Sequence, residues 1–202
     1  MTMNISGGNA SAERNVGTAR NTSTDRNKRN GLIHIYEGDG KGKTTAAVGL
    51  SVRFAGNGGR VVFTQFLKRN DSSELSILEQ IENICLLRCE KSFGFTFRMT
   101  PQEQAEAAAY YHAHLEKVLT RAVEQQAGLL VLDEVLDAYN SNMISHEALL
   151  SFLKERSQEM EVVLTGRNPA EELLELADYV TYMEKRKHPY DRGIGARTGI
   201  EL

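Results

Sequence analysis

The chain is poor in cysteine, with two in 202 residues, and has no tryptophan. Cys85 and Cys89 sit close together in ENICLLRCEK. Two thiols without a second pair build neither a four-ligand zinc site nor a disulfide framework, and as small reduced thiols they suit a cytoplasmic protein. Long apolar runs are also missing, since none approaches the roughly 20 residues that a membrane-spanning helix needs. Residues 1–30 show neither the apolar core of a secretory signal nor the amphipathic stripe of a transit peptide. A formal charge of −3 gives no general reason to expect a nucleic-acid partner. No internal repeat and no Ser-His-Asp arrangement is visible.

What is present is one sizeable core: 41% of the residues are hydrophobic and 25% charged, the composition of a single domain with extensions. Residues 1–30, rich in Asn, Ser, Thr, Gly and Arg, cannot bury enough apolar surface to offset ordering entropy and read as a flexible arm. From residue 31 to 202 the pattern alternates. Strands are expected at 32–36, 60–67, 84–88, 128–132, 161–167 and 179–183, with helices after the first glycine-rich turn, at 73–81, 100–126, 145–156 and 169–177. Thr100-Pro101-Gln102-Glu103 is a strong helix start, and Ala105, Ala108, Tyr111, Leu115, Val118, Leu119 and Ala122 form its apolar stripe. This alternation predicts an α/β fold, a mainly parallel sheet with helices on both faces and ligands at the carboxyl ends of the strands.

The chemistry gathers first at GDGKGKTT, Gly38 to Thr45. A strand, a glycine-rich turn and a helix start in that order make a phosphate cradle, in which backbone N–H groups and the helix dipole favour an anion. Lys43 supplies a positive charge and Thr44 an oxygen for Mg²⁺. The usual pattern has Gly where this chain has Glu37, with glycines at 38, 40 and 42 instead, so the loop is a variant. LLVLDE, an apolar strand ending in Asp133 and Glu134, is a second element able to hold the metal directly or through water. At another strand end, the Arg167 guanidinium can grip phosphate. Phe93, Phe95 and Phe97 alternate in a glycine-containing loop, either as core plugs or as an apolar wall for a flat ligand. His112 and His114 lie two apart on a helix and make a poor metal pair. His34 reads as structural, and His188, near Pro189 and Asp191, is open to a site role.

These stretches resemble the P-loop ATP:corrinoid adenosyltransferases. The resemblance is carried by GDGKGKTTAA at 38–47, QFLK at 65–68, GFTF at 94–97, LLVLDE at 129–134, LTGR at 164–167, LADYVT at 176–181 and KHPYDRGIGARTGIE at 187–201. The shifted glycines are also what that family shows. The resemblance implies a RecA-like P-loop NTPase fold and transfer of the 5′-deoxyadenosyl group of ATP to Co(I) of a reduced corrinoid, with tripolyphosphate leaving. The nucleophile then belongs to the corrinoid and attacks the ribose 5′ carbon. Lys43, Glu134 and Arg167 are the expected catalytic residues. Gly38, Asp39, Gly40, Lys41, Gly42, Lys43, Thr44, Thr45, Arg53 and Arg167 are expected around ATP. Thr44, Asp133 and Glu134 are expected around Mg²⁺ or Mn²⁺, and Phe95, Phe97 and His188 at the corrinoid. A flavoprotein or other reductant for Co(II), a homodimer, and neither nucleic acid nor membrane complete the expected partners.

The chain departs from the family pattern in places. Phe97 stands where Trp is frequent, Glu37 replaces a frequent Thr, and Gly195-Ala196-Arg197-Thr198 replaces a Lys-Ala-Gln-Lys run. The segment from Asp71 to Glu82 is shorter. Two alternatives stay open at this level: a P-loop ATPase or kinase, and an ATP- and corrinoid-binding protein on the same fold without the reaction.

Overall fold

The structure, a computed structural model, describes Met1 and residues 30–201 apart from 69, 70 and 95–98. The flexible-arm reading of residues 1–30 and the apolar wall of Phe95 and Phe97 therefore lie almost wholly outside the described residues.

Six strands form one parallel sheet in the order β3-β2-β4-β5-β1-β6. They are β1 Ile33–Glu37, β2 Val61–Gln65, β3 Ile84–Leu87, β4 Leu129–Asp133, β5 Glu161–Gly166 and β6 Tyr179–Tyr182. The helices are α1 Lys43–Gly56, α2 Ser73–Leu78, α3 Pro101–Glu124, α4 Val135–Asn140, α5 His146–Glu155 and α6 Glu171–Leu176. Side chains on a strand alternate between faces, and β4 divides its residues accordingly. Leu129 and Val131 join Ala47, Phe54, Phe63, Leu75 and Leu78 in a core beneath α1 and α2. Leu130 and Leu132 join Tyr111, Leu115, Leu149, Leu153 and Leu173 beneath the other helices. Each such apolar side chain contributes roughly 1.5–3 kcal/mol of transfer free energy, before the entropy of ordering it is subtracted.

The start of α3 is built as its sequence dictates: the Thr100 side chain accepts from Glu103 N and the Glu103 carboxylate accepts from Thr100 N, with Pro101 opening the helix. The buried stripe holds Tyr111, Leu115, Val118, Leu119 and Ala122 as expected and differs at its start and at His114. Ala107 is buried where Ala105 is exposed, and His114 enters the stripe because Thr64 satisfies its ring. Two further corrections concern helix starts. The short α4 directly after Glu134 was not expected. For α6 the cap is Ala170, without a side-chain hydrogen bond, so the helix starts at Glu171 rather than at the expected 169.

The sheet carries the three motif strands side by side, with β5 between β1 and β4. The acid-bearing strand is thus separated from the loop-bearing strand by one strand, and their contact is made beyond the strand ends. His34 is structural as read, 3.0 Å from Glu161 Oε2 and stacked on Tyr179 at 4.7 Å. Neither Cys85 nor Cys89 forms a disulfide, and burial pushes the Cys89 thiol up to about 12. No helix among the described residues is long and apolar enough to cross a membrane.

Candidate active site

The odd glycine register of the loop has a steric cause. The loop lies against the end of β6: Gly40 N donates to the Met183 carbonyl at 2.7 Å, and Met183 N donates to Glu37 O at 2.8 Å. A Cβ on Gly38 or Gly40 would fall 2.6 or 2.4 Å from the Met183 oxygen, and Gly38 and Gly42 have φ of 114° and 123°. Only glycine meets both demands. No side chain caps the start of α1 and its first turn carries no acidic residue, so its N–H groups keep their partial positive charge toward the loop.

Lys43 is buried inside this loop. Its ammonium donates to Gly38 O at 2.6 Å and Gly40 O at 3.0 Å. Burial, and after it the neighbouring Arg167 cation, lower its pKa from the ordinary lysine value. The loop thus wraps its own cation by backbone carbonyls, leaving a positive charge at the place where an anion would enter.

Asp133, at the end of β4, is fully buried and is reached from four directions. Thr44 Oγ1 donates at 3.0 Å and Thr165 Oγ1 at 2.6 Å to its Oδ1, while Gln65 Nε2 donates at 3.1 Å and Lys68 Nζ at 2.7 Å to its Oδ2. Glu134 follows in the left-handed conformation, φ 58°, and Thr165 Oγ1 accepts from its N–H at 2.9 Å. Burial first, and then the Asp133 charge, raise the Glu134 carboxyl to about 7. Near neutral pH this group can therefore accept or release a proton.

Whether these residues suit a divalent cation is answered by Lys68. Its ammonium lies 2.7 Å from Thr44 Oγ1, 2.7 Å from Asp133 Oδ2 and 4.0 Å from Glu134 Oε1, so a cation already stands among the three oxygen groups expected around metal. Among the described residues no three His, Cys, Asp or Glu side chains cluster into a metal cage. Two carboxylates and a hydroxyl are oxygen donors of the kind that suits Mg²⁺, which also keeps waters and takes phosphate oxygens from a substrate. Lys68 lies in the QFLK stretch that carries the resemblance, but sequence reasoning gives it no role. Its local signal is a basic residue just past a buried strand, and which strand neighbours β2 is a matter of topology.

Arg167 lies where expected at the end of β5, its guanidinium exposed and 3.8 Å from Asp137 Oδ1, its N–H bonded to Asp137 Oδ2 at 2.9 Å. Asp39 accepts from Lys185 N at 3.1 Å, and Lys41 stands 3.9 Å from Glu201 Oε1, so the tail runs beside the loop. Arg197, one of the tail departures, is held by that same Glu201 at 2.8 Å. Thr45 faces solvent on α1. His188 Nδ1 accepts from Tyr190 N at 3.1 Å and so caps the short 3-10 turn Pro189–Arg192.

Arg53, expected around ATP, stands apart from the loop. It sits on the last turn of α1, ten residues beyond Lys43 and so about 15 Å along the helix axis. There it lines a cavity of about 430 Å³ with His34, Asn57 and Glu161. Phe93 packs against Tyr110 and Tyr111, with ring centroids 5.6 and 5.7 Å apart, which makes it a core plug rather than a wall.

The profile of the family described as ATP:corrinoid adenosyltransferase BtuR/CobO/CobP matches residues 29–202. A corrinoid adenosyltransferase of a Sinorhizobium species is 34% identical over 90% of this chain and 83% of its own. The corrinoid adenosyltransferase of Escherichia coli K12 is 31% identical, and that of Salmonella typhimurium 32%, each over 85% of both chains. A solved KaiC-like protein from Pyrococcus horikoshii has a TM-score of 0.47 at 15% identity, over 79% of this chain and 75% of its own, a likeness too slight to argue from. With the loop, the acidic strand end and the arginine strand end in one site, and a family match over nearly the whole described chain, the protein belongs to the ATP:corrinoid adenosyltransferase family.

Proposed function

We propose that the protein transfers the 5′-deoxyadenosyl group of ATP to the Co(I) centre of a reduced corrinoid and releases tripolyphosphate. The single observation that carries the reading is the loop itself, a glycine cradle closed around Lys43 in a chain matched to this family from residue 29 to 202. Bond breaking lies between the ribose 5′ carbon and the α-phosphate oxygen, so the cradle holds a leaving group. The 5′ carbon accepts the cobalt electron pair as the C–O electrons pass to the triphosphate. Lys43 and Arg167 bind that developing charge in a fixed array, which favours the transition state over the ground state. Glu134 would act on the departing phosphate chain through the metal ion that it helps to hold.

Mg²⁺ or Mn²⁺, held by Thr44, Asp133 and Glu134, would supply further positive charge to the phosphates. Asp39, Lys41 and Thr45 border the nucleotide, with the backbones of Gly38, Gly40 and Gly42 facing its phosphates. Phe95, Phe97 and His188 border the corrinoid, where two apolar rings exclude a lower axial ligand and make Co(II) easier to reduce. A flavoprotein or other reductant delivers that electron. A cytoplasmic homodimer completes the reading, and for that the family resemblance is the support.

A second reading has one observation in its favour. Glu134 follows Asp133 where an ATPase would place a base for water, and its pKa near 7 suits that task. Incubation of the protein with ATP and chemically reduced cobalamin separates the two. Appearance of the adenosylcobalamin spectrum with tripolyphosphate supports transfer. Orthophosphate and ADP formed without corrinoid overturn it in favour of hydrolysis.

A further inference from the structure

Lys68 comes from neither the loop nor the acidic strand, yet its ammonium fills the space between them. It reaches that space through an unusual turn. Past the end of β2, Phe66 N still bonds the Asp133 carbonyl at 2.9 Å, and then Leu67 takes a left-handed φ of 52°, a conformation that a branched non-glycine residue adopts at a cost. The turn delivers Lys68 to Asp133 Oδ2 and Thr44 Oγ1, both at 2.7 Å. Lys68 is the ion-pair partner of the buried Asp133 among the described residues. Its own side chain is one-quarter exposed, which leaves it a path outward.

An ammonium and a divalent cation cannot share these oxygens, because like charges at such a separation repel strongly in a partly buried site. We propose that Lys68 is a mobile counter-ion that closes the metal position of the empty protein and is handed to the polyphosphate when metal and nucleotide enter together. Bare metal must expel the ammonium without compensation. Metal arriving with a triphosphate brings the anion that the displaced Lys68 then pairs with. The consequence is positive coupling between metal and nucleotide, with little metal held on its own. A second feature fits an incoming donor at this place. The Oε1 atom of Gln65, whose Nε2 is fixed by Glu74 at 2.8 Å and Asp133 at 3.1 Å, is buried without a hydrogen-bond partner among the described residues. A metal-bound water would satisfy it.

This inference rests on the nucleotide part of the proposed function and not on the corrinoid, so its test omits corrinoid. Binding of Mn²⁺ alone to the full chain is followed by the loss of the free-ion electron paramagnetic resonance signal, for wild type, Lys68→Gln and Lys68→Met, and then repeated with ATP. The expected result is Mn²⁺ affinity without nucleotide about tenfold higher in both variants than in wild type. ATP should raise the wild-type affinity for Mn²⁺ by a larger factor than that of either variant. In thermal melts the variants should lose stability without metal and regain it with Mn²⁺, because the ion replaces the missing charge beside Asp133. Should Lys68→Met not fold, Lys68→Gln keeps a donor for Asp133 and carries the test. Mn²⁺ affinity in the variants equal to or below that of wild type overturns the proposal and leaves Lys68 a fixed ion pair.

Discussion

Thr165 Oγ1 donates to Asp133 Oδ1 at 2.6 Å and in the same position accepts the backbone N–H of Glu134 at 2.9 Å. One hydroxyl on the strand between the loop strand and the acidic strand thus fixes both carboxylate-bearing residues. Thr165→Val keeps the shape and removes the donor, leaving the Glu134 N–H without its acceptor. Such a loss in a buried site costs about 1–3 kcal/mol. Urea unfolding should report a destabilisation in that range, with a slower adenosyl transfer, and Thr165→Ser should recover both. Full activity in Thr165→Val would show that the left-handed turn at Glu134 holds without it.

Lys43→Ala removes the ammonium that two loop carbonyls hold. Those carbonyls belong to the buried Gly38 and Gly40 and would lose their donor, whereas the ammonium, itself disfavoured as a cation by its burial, no longer has to be desolvated. The two effects oppose each other, so stability should change by no more than about 1–3 kcal/mol, while transfer falls by at least about a hundredfold, the usual loss when one preorganised charge-stabilising donor is removed. Circular dichroism, thermal melting and the cobalamin spectral assay measure the three quantities. Near wild-type transfer in this variant would remove the phosphate site from the assignment.

Glycines in and after the loop offer an internal contrast. Gly40→Ala puts a methyl 2.4 Å from the Met183 carbonyl, a backbone atom that cannot step aside without pulling the end of β6 with it. Stability should fall by about 1–3 kcal/mol, as for other forced overpacking, and nucleotide affinity should fall with it. Gly49→Ala, in the middle of α1, meets nothing within 4 Å. It should raise stability by roughly 0.5–1 kcal/mol through helix propensity alone. Chemical denaturation of the two variants side by side, and ATP titration of each, checks the contrast.

Most of this architecture was legible because its signals are local. Short, mostly continuous apolar runs between turn signals gave all six strands within a residue or two, and the Thr100–Glu103 pair named its helix start without any tertiary contact. Loop, acidic end and Arg167 could be assigned because each lies at a strand's carboxyl end, and parallel strands bring those ends to one edge. What stayed hidden depends on strand order. Nothing local says that β5 intervenes between β1 and β4, so the part of Thr165 as the bridge was not visible, nor was the arrival of Lys68 from β2. The distance of Arg53 from the loop also depends on the fold: it is near the loop in sequence, but a helix carries it away from Lys43 by 1.5 Å per residue. His114 escaped notice as a buried polar residue because its partner, Thr64, is on another element.

That His114–Thr64 contact gives the protein a pH dependence of folding independent of its chemistry. Thr64 Oγ1 lies 2.8 Å from the Leu87 carbonyl and 2.8 Å from His114 Nε2. A carbonyl can only accept, so the single hydroxyl proton goes to Leu87 and Nε2–H of the ring is the donor to Thr64. Burial, and secondarily the charge of Lys117, depress His114 from 6.5 to about 4. The unfolded chain therefore binds a proton at higher pH than the folded one. Stability from the neutral buried ring is fully present above about 6.5 and is lost as pH falls toward 4, by at most about 3 kcal/mol. Urea midpoints between pH 7 and 4.5 should fall more steeply in wild type than in His114→Gln, which keeps an N–H donor but does not titrate. Parallel slopes for the two proteins would mean that the ring is hydrated enough to titrate normally, and the acid sensitivity would then belong to the carboxylates.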